Sequence, residues 1–351
     1  MRAAKVFQSM GGEVAGLEAL VRDYFRWRKV EVGAVVEELG EGWQGEVWGR
    51  TVGSTRAARF PVDREHELRF VKGVIAHCEG GGEEVEEEWY TRLAELCTSA
   101  PSPSYRTYRV GATTVSIRES RSIISGGTTG LCSWPAGEAL ARWVAAGRQA
   151  SWRGRRVLEL GAGSGMAAIT TVRRWGHTLE EVTLTDCHKE VLDNLWHNVT
   201  VNLEEEEDVE AKDDEERCLT LDTGLKVRVE HLDWEDPAPL ATTPDIVLGA
   251  DIIYDTSVIP ALVSNQHLHL HLHLHLHLHL HQVRTLHRLT SPTCTAHIAC
   301  TVRNPATLAS FLAECGEAGL EVEQEELEGP DPGLPPLVLL HITRDLLPEL
   351  T

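Results

Sequence analysis

The chain lacks a basic surface. It holds 33 Lys and Arg against 54 Asp and Glu, a net charge of −21. Binding to a phosphate backbone depends on clustered cations, so no direct nucleic-acid contact is expected. A basic protein surface is the more natural macromolecular partner. Paired cysteines are absent as well: the eight cysteines stand at 78, 97, 132, 187, 218, 294, 300 and 315, with no C-x-x-C spacing of a zinc site among them. Cys294-x-x-His297-x-x-Cys300 falls on an expected strand, where Cys, Ala and Ile suit a buried parallel position, so no metal is expected there. No apolar run approaches the roughly 18 residues of a membrane helix, and Met-Arg-Ala-Ala-Lys-Val-Phe has no signal-peptide core. These absences lead to the expectation of a reducing, cytoplasmic protein without membrane contact.

What is present is a glycine turn. Val157-Leu158-Glu159-Leu160 is an apolar run that ends in Gly161-Ala162-Gly163-Ser164-Gly165, and a helix-compatible segment follows. Glycines two apart let the backbone turn sharply and leave room for a ligand against main-chain N–H groups. A second strand, Val182-Thr183-Leu184-Thr185, ends in Asp186 about one βαβ unit later, where nucleoside-binding α/β folds place a carboxylate for ribose hydroxyls. A third, Asp245 to Ala250, runs into Asp251-Ile252-Ile253-Tyr254. G-x-G-x-G is not the dinucleotide G-x-G-x-x-G, and Glu159 just before it disfavours a diphosphate. A ligand with a ribose, an amino-acid tail and a positive sulfonium fits: S-adenosyl-L-methionine. The plain alternative is an ordinary strand–turn–helix connection.

The length of 351 residues suits a large α/β domain and a smaller one. Residues 1–100 read as mostly helical, with helical spacing over Val14 to Val35, His66 to Ile75 and Val85 to Leu96, the last two separated by Gly80-Gly81-Gly82. Residues 101–130 read as a linker and a β-hairpin around Gly111. From 131 to 351 strands are expected near 155–160, 182–186, 226–232, 245–250, 295–302 and 336–343, with helices between most of them. That alternation implies a largely parallel, Rossmann-like sheet with helices on both faces. Glu204 to Arg217 reads as a solvated charged loop. The unbroken His–Leu alternation at 267–281 reads as an insertion into a helix.

Several strings resemble the eukaryotic elongation factor 2 lysine methyltransferases, within the seven-strand class I protein-lysine methyltransferases (methyltransferase family 16). They are Ser122-Ile123-Ile124-Ser125-Gly126-Gly127-Thr128-Thr129-Gly130, Thr185-Asp186-Cys187-His188, Leu232-Asp233-Trp234, Ala250-Asp251-Ile252-Ile253-Tyr254 and Thr301-Val302-Arg303-Asn304-Pro305. The resemblance is good over about residues 110–345 and looser in the N-terminal third. It implies that Trp134 covers one side of the cofactor, and that Gly161, Ala162 and Gly163 pass beneath its methionine part. It further implies that Asp186 accepts from the ribose hydroxyls, that Trp234 lies near the adenine, and that Ala250 offers main-chain contact. Asp251 and Tyr254 match the motif beside the substrate lysine. The implied activity is S-adenosylmethionine-dependent N-methylation of a lysine in elongation factor 2 by a monomer. The rivals are another protein substrate, such as a chaperone or another elongation factor, and a non-catalytic cofactor-binding protein.

The chemistry of those residues is consistent with this. Methyl transfer needs two reactants placed in line and their charge managed. A lysine with a free pKa near 10.4 must first become neutral. An apolar aromatic channel disfavours the ammonium, whereas a carboxylate favours and orients it. Asp251 would aim the amine, Tyr254 would limit the space around it, and water would accept the proton. Asp251 as a helix cap and Tyr254 as simple core are the structural alternatives.

Overall fold

A computed structural model describes residues 15–100, 102–123, 125, 128–147, 152–204, 209–234, 240, 242–253, 282–291 and 293–344. Tyr254, the His–Leu run at 267–281 and the helix expected at 258–263 lie outside the described residues. The chain divides into two compact units, Met1–Arg109 and Val110–Thr351.

The first unit is helical: α1 (Ala15–Phe25), α2 (Val32–Leu39), α3 (Trp43–Arg50), α4 (Thr55–Arg59), α5 (Arg64–Gly81) and α6 (Glu87–Thr98). The helical spacing over 14–35 resolves into two helices, because Trp27 takes a left-handed φ of +55° between them. On α5, Phe70, Val71, Val74, Ile75 and Cys78 recur at helical spacing and are buried with Leu17, Tyr24, Trp43, Val47 and Trp89 in one core. Asp63 starts α5 by accepting from His66 N at 2.9 Å. The glycine run separates α5 from α6, as expected. Helix α5 continues through Gly80 and Gly81 and stops at Gly82, whose φ of +71° lets its N–H reach the carbonyls of Cys78 and Glu79.

Strands β1 (Tyr105–Val110) and β2 (Thr113–Arg118) form a two-stranded sheet, with Gly111 at φ +61° in the turn. The second unit then adds α7 (Pro135–Ala145), β3 (Arg156–Leu160), α8 (Met166–Trp175), β4 (Glu181–Asp186) and α9 (Lys189–Leu203). After these come β5 (Val209–Asp213), β6 (Cys218–Leu221), β7 (Lys226–His231) and β8 (Ile246–Ala250). Helix α10 (282–289), β9 (Thr295–Thr301), α11 (Pro305–Glu317), β10 (Glu321–Leu327) and β11 (Leu337–Thr343) complete it. The sheet order is β10-β11-β9-β8-β3-β4-β7-β6-β5. Strands β7, β4, β3, β8 and β9 are mutually parallel, and β11 runs antiparallel to both β9 and β10. Seven strands, from β10 to β7, make the class I methyltransferase sheet.

Strand alternation sorts side chains to its two faces. Leu158 and Leu160 of β3 pack with Val283 and Leu286 of α10 and Phe311 and Cys315 of α11. Glu159, between them, points to the other face, where it meets α8. On β9, Cys300 joins the α10–α11 side together with Cys294 just before the strand, while the His297 ring packs 5.0 Å from that of Trp143 of α7 on the other. The C-x-x-H-x-x-C spacing therefore places its histidine across the sheet from both cysteines.

Three strands were not expected, β5, β6 and β10. Glu204 to Arg217 is not simply a solvated loop: β5 and β6 pair antiparallel and extend the sheet beyond β7. Lys212 to Glu216 are exposed on this edge, and charge there discourages further strand pairing. Lys212 bridges Glu204 at 2.8 Å and Asp214 at 3.3 Å there. Strand β10 (Glu-Val-Glu-Gln-Glu-Glu-Leu) is the opposite edge and hides in the sequence for the same reason.

Candidate active site

Chain order reverses direction between β3 and β8, and open α/β sheets bind ligands at the carboxyl ends beside such a switch point. A cavity of about 450 Å³ lies there, within the range of small-molecule sites. Trp134, Gly161, Ala162, Gly163, Asp186, Trp234, Ala250 and Asp251 all line it, together with Glu159.

The turn after β3 takes its shape from positive φ angles at Gly161 (+56°), Gly163 (+54°) and Gly165 (+86°). A Cβ on Gly161 would stand 3.1 Å from both Trp234 and Ile252, and one on Gly163 would stand 3.2 Å from the Gly130 carbonyl. Space as well as conformation therefore requires glycine. Ala162 N donates to Thr185 O at 2.8 Å, which ties the turn to β4. Glu159 lies under the turn, 3% exposed, and accepts from Ala168 N in the first turn of α8 at 2.9 Å. Burial pushes its carboxyl up to about 8; the Ala168 N–H opposes that, and nearby Asp186 adds to it.

Asp186 ends β4. Its Oδ2 accepts from Gly163 N at 3.2 Å, and its Oδ1 from Cys187 N at 2.8 Å and His188 N at 3.2 Å. Burial raises its pKa, and those three N–H groups pull it back. Among the described residues, Asp186, Cys187 and His188 are the one group that brings three metal-type side chains within 4.8 Å.

Trp134 caps the start of α7 ahead of Pro135 and donates from its indole N–H to Thr129 O at 3.2 Å. The Arg303 guanidinium lies 5.1 Å over its ring. Asp251 follows β8 in a left-handed conformation, φ +50°, unusual outside glycine and often found at functional positions. Its N–H donates to Ala299 O at 2.8 Å. Its carboxylate accepts from Thr301 N at 2.7 Å, Thr301 Oγ1 at 2.9 Å and Arg303 Nη2 at 3.0 Å.

Sequence reasoning missed the supports of this site. On α9, Asn194, Asn198 and Asn202 are spaced i, i+4, i+8 and pair with the backbone of β2. Asn202 takes the N–H of Ser116 at 2.9 Å and returns a bond to its carbonyl at 2.8 Å. Asn198 takes the Arg118 N–H at 2.9 Å and donates to Ser164 O at 3.0 Å. The ladder fixes β2, which precedes the cavity-lining residues Thr128 to Gly130 and Cys132 to Trp134. Ser133 and Ser164 hydroxyls, 2.7 Å apart, join that segment to the glycine turn. The asparagine spacing was the available signal.

A sequence profile for lysine methyltransferases matches residues 114–271. Human protein-lysine N-methyltransferase EEF2KMT is 32% identical over 294 residues, covering 80% of this chain and 78% of that protein. The Bos taurus protein of the same name is 30% identical over 315 residues, 86% and 85% of the two chains. Protein-lysine N-methyltransferase EFM3 of Chaetomium thermophilum is 33% identical over 223 residues, 62% and 56% of the two. With this similarity and this fold, the chain belongs to the lysine methyltransferase family and is an S-adenosylmethionine-dependent protein-lysine N-methyltransferase.

Proposed function

We propose that this enzyme methylates a lysine of translation elongation factor 2, as a cytoplasmic monomer. The observation that carries the reading is the extent of identity with the proteins named EEF2KMT. The bovine match covers 86% of the chain, more than the Val110–Thr351 unit alone contains, so it reaches into the N-terminal helices as well as the shared methyltransferase core. Among the described residues no helix is long and apolar enough to cross a membrane.

The cavity suits the cofactor chemically. Glu159, Asp186, Asp233 and Asp251 line it, which favours a cation and disfavours a diphosphate. Asp186 Oδ2 accepts one N–H and keeps an acceptor position for a ribose hydroxyl. Gly161 and Gly163 leave main chain open where a side chain would intrude. Trp134 and Trp234 offer flat walls. S-adenosylmethionine, when bound, supplies an electrophilic methyl group on a sulfonium.

The substrate lysine reaches that methyl as a neutral amine, having given its ammonium proton to water. Its lone pair forms the N–C bond while the C–S bond breaks and the electron pair stays on sulfur. Asp251 accepts a hydrogen bond from the amine and aims it; the family resemblance gives Tyr254, outside the described residues, the role of limiting the space around the amine. Asp251→Asn nearly preserves size and removes the charge. It is expected to slow single-turnover transfer to elongation factor 2 by roughly 10²-fold with cofactor affinity little changed. Wild-type rates in that variant would remove Asp251 from catalysis. If the wild-type enzyme transfers methyl to a chaperone or another elongation factor and not to elongation factor 2, the substrate assignment fails. If it binds cofactor and methylates nothing, the enzymatic reading itself fails.

A further inference from the structure

Arg303 touches two walls of the cavity, Asp251 at the end of β8 and Trp134 at the start of α7. Its Nη2 donates to Asp251 Oδ2 at 3.0 Å, and its guanidinium covers the Trp134 ring at 5.1 Å. Among the described residues it is the ion-pair partner of Asp251, whose side chain is 4% exposed. A carboxylate offers about four acceptor positions. Thr301 N, Thr301 Oγ1 and Arg303 Nη2 take three of them, which leaves one on Oδ1. Glu159, Asp186, His188 and Asp233 line the same cavity and are unchanged in the Arg303 and Asp251 variants below, and an anion placed as Asp251 is has a cost for the reaction. Beside a lysine amine, an uncompensated carboxylate favours the ammonium and raises its pKa, whereas methyl transfer needs the neutral amine.

We propose that Arg303 is a positioning residue that acts through Asp251: it compensates the carboxylate's charge, so that Asp251 orients the substrate lysine without holding it protonated. This rests on the reading of Asp251 as the group that faces the amine. The arrangement requires arginine's geometry. A planar guanidinium can stack on Trp134 and donate to Asp251 at once, which a lysine ammonium does less well. Thr301 contributes two further bonds to the carboxylate, so Asp251 keeps its place when Arg303 is changed. Electrostatic compensation and mere support then become separable.

The test is the pH dependence of single-turnover methyl transfer, from about pH 6.5 to 10. The acceptor is the protein that the wild-type enzyme methylates, elongation factor 2 on the reading above. Cofactor affinity is followed in parallel by calorimetry. Arg303→Gln is expected to move the midpoint of the rate profile up by about one pH unit. The rate near neutrality then falls about tenfold and recovers at high pH. Arg303→Lys keeps the charge and is expected to leave the midpoint near that of wild type, even if its plateau is lower. In Asp251→Asn combined with Arg303→Gln the upward shift should vanish, because the anion that causes it is gone. A loss in Arg303→Gln that is equal at every pH, a collapse of cofactor binding, or an unchanged profile would each overturn the proposal. If Arg303→Gln does not fold, a raised midpoint in Arg303→Lys overturns it and a wild-type midpoint with reduced plateau supports it. The underlying reading is distinguished by the single variant. Wild-type rates in Asp251→Asn refute the role of Asp251, whereas a slow Asp251→Asn beside an unshifted Arg303→Gln refutes only the role of Arg303.

Discussion

Replacing Glu159 with Gln is expected to stabilise the protein at high pH relative to low. Glu159 is 3% exposed beneath the glycine turn, and burial pushes its carboxyl from 4.5 up to about 8. The unfolded chain loses this proton near 4.5 and the native protein near 8. Between those values the native state binds more protons, so stability falls as pH rises through the window and levels off above it. Each unit of displacement corresponds to about 1.4 kcal/mol. From pH 6 to pH 9 the wild-type protein should therefore lose on the order of 3 kcal/mol through this one group. Both values lie above the isoelectric point of about 5.2, which helps solubility. Gln retains an oxygen for the Ala168 N–H but does not titrate. Its extra N–H donors carry a desolvation cost of about 1–3 kcal/mol, the same at both pH values, so the quantity to read is the change in mutant-minus-wild-type stability between them. Urea unfolding followed by circular dichroism measures it. A difference that is identical at pH 6 and pH 9 would falsify the argument. A functional corollary follows from the cavity: a cationic cofactor beside Glu159 favours its ionised form. Binding near pH 7 should release a proton in wild type and not in Glu159→Gln, as read by calorimetry in two buffers of different ionisation enthalpy.

Asp186→Ala removes the proposed ribose acceptor and is expected to weaken S-adenosylmethionine binding by about 2–3 kcal/mol; unchanged affinity in a folded variant removes Asp186 from the site. Gly163→Ala must hold alanine at φ +54° with its Cβ 3.2 Å from the Gly130 carbonyl. The strain is about 1–2 kcal/mol, and cofactor affinity should fall with it in the same calorimetric assay; a stable variant of wild-type affinity contradicts the close approach. Asn198→Ala frees the Arg118 N–H and the Ser164 carbonyl, which should cost about 1–3 kcal/mol in chemical denaturation. A neutral result means that solvent reaches the ladder.

The parts legible in advance are those carried by neighbouring residues. The glycine turn, the carboxylate that ends β4 and the parallel strands of the sheet interior each depend on backbone preference and burial over a few positions. Helix α5 was legible because Phe70, Val71, Val74, Ile75 and Cys78 share one helical face. Strands β5, β6 and β10 were not: β5 and β10 are edge strands that carry charge where core strands carry Val and Ile, and charge runs also mark loops, while β6 is only four residues long. Short α3 and α4 escaped notice for a related reason: tertiary packing of Trp43 and Val47, rather than a long periodic pattern, holds α3.

The sequence by itself determined which chemical groups the site contains. Asp186, Asp251, Trp134, Trp234 and the glycines were identifiable from strand ends, spacing and family resemblance. Only the tertiary structure decided what state those groups are in. Burial beneath the glycine turn pushes the Glu159 carboxyl up to about 8. Asp251 reads in the sequence as a carboxylate open to an amine. In the fold it is already bound by Thr301 and Arg303, 50 and 52 residues away along the chain. Residue type and local order are properties of a short segment of chain. Burial and charge compensation depend on which distant segments the sheet brings together.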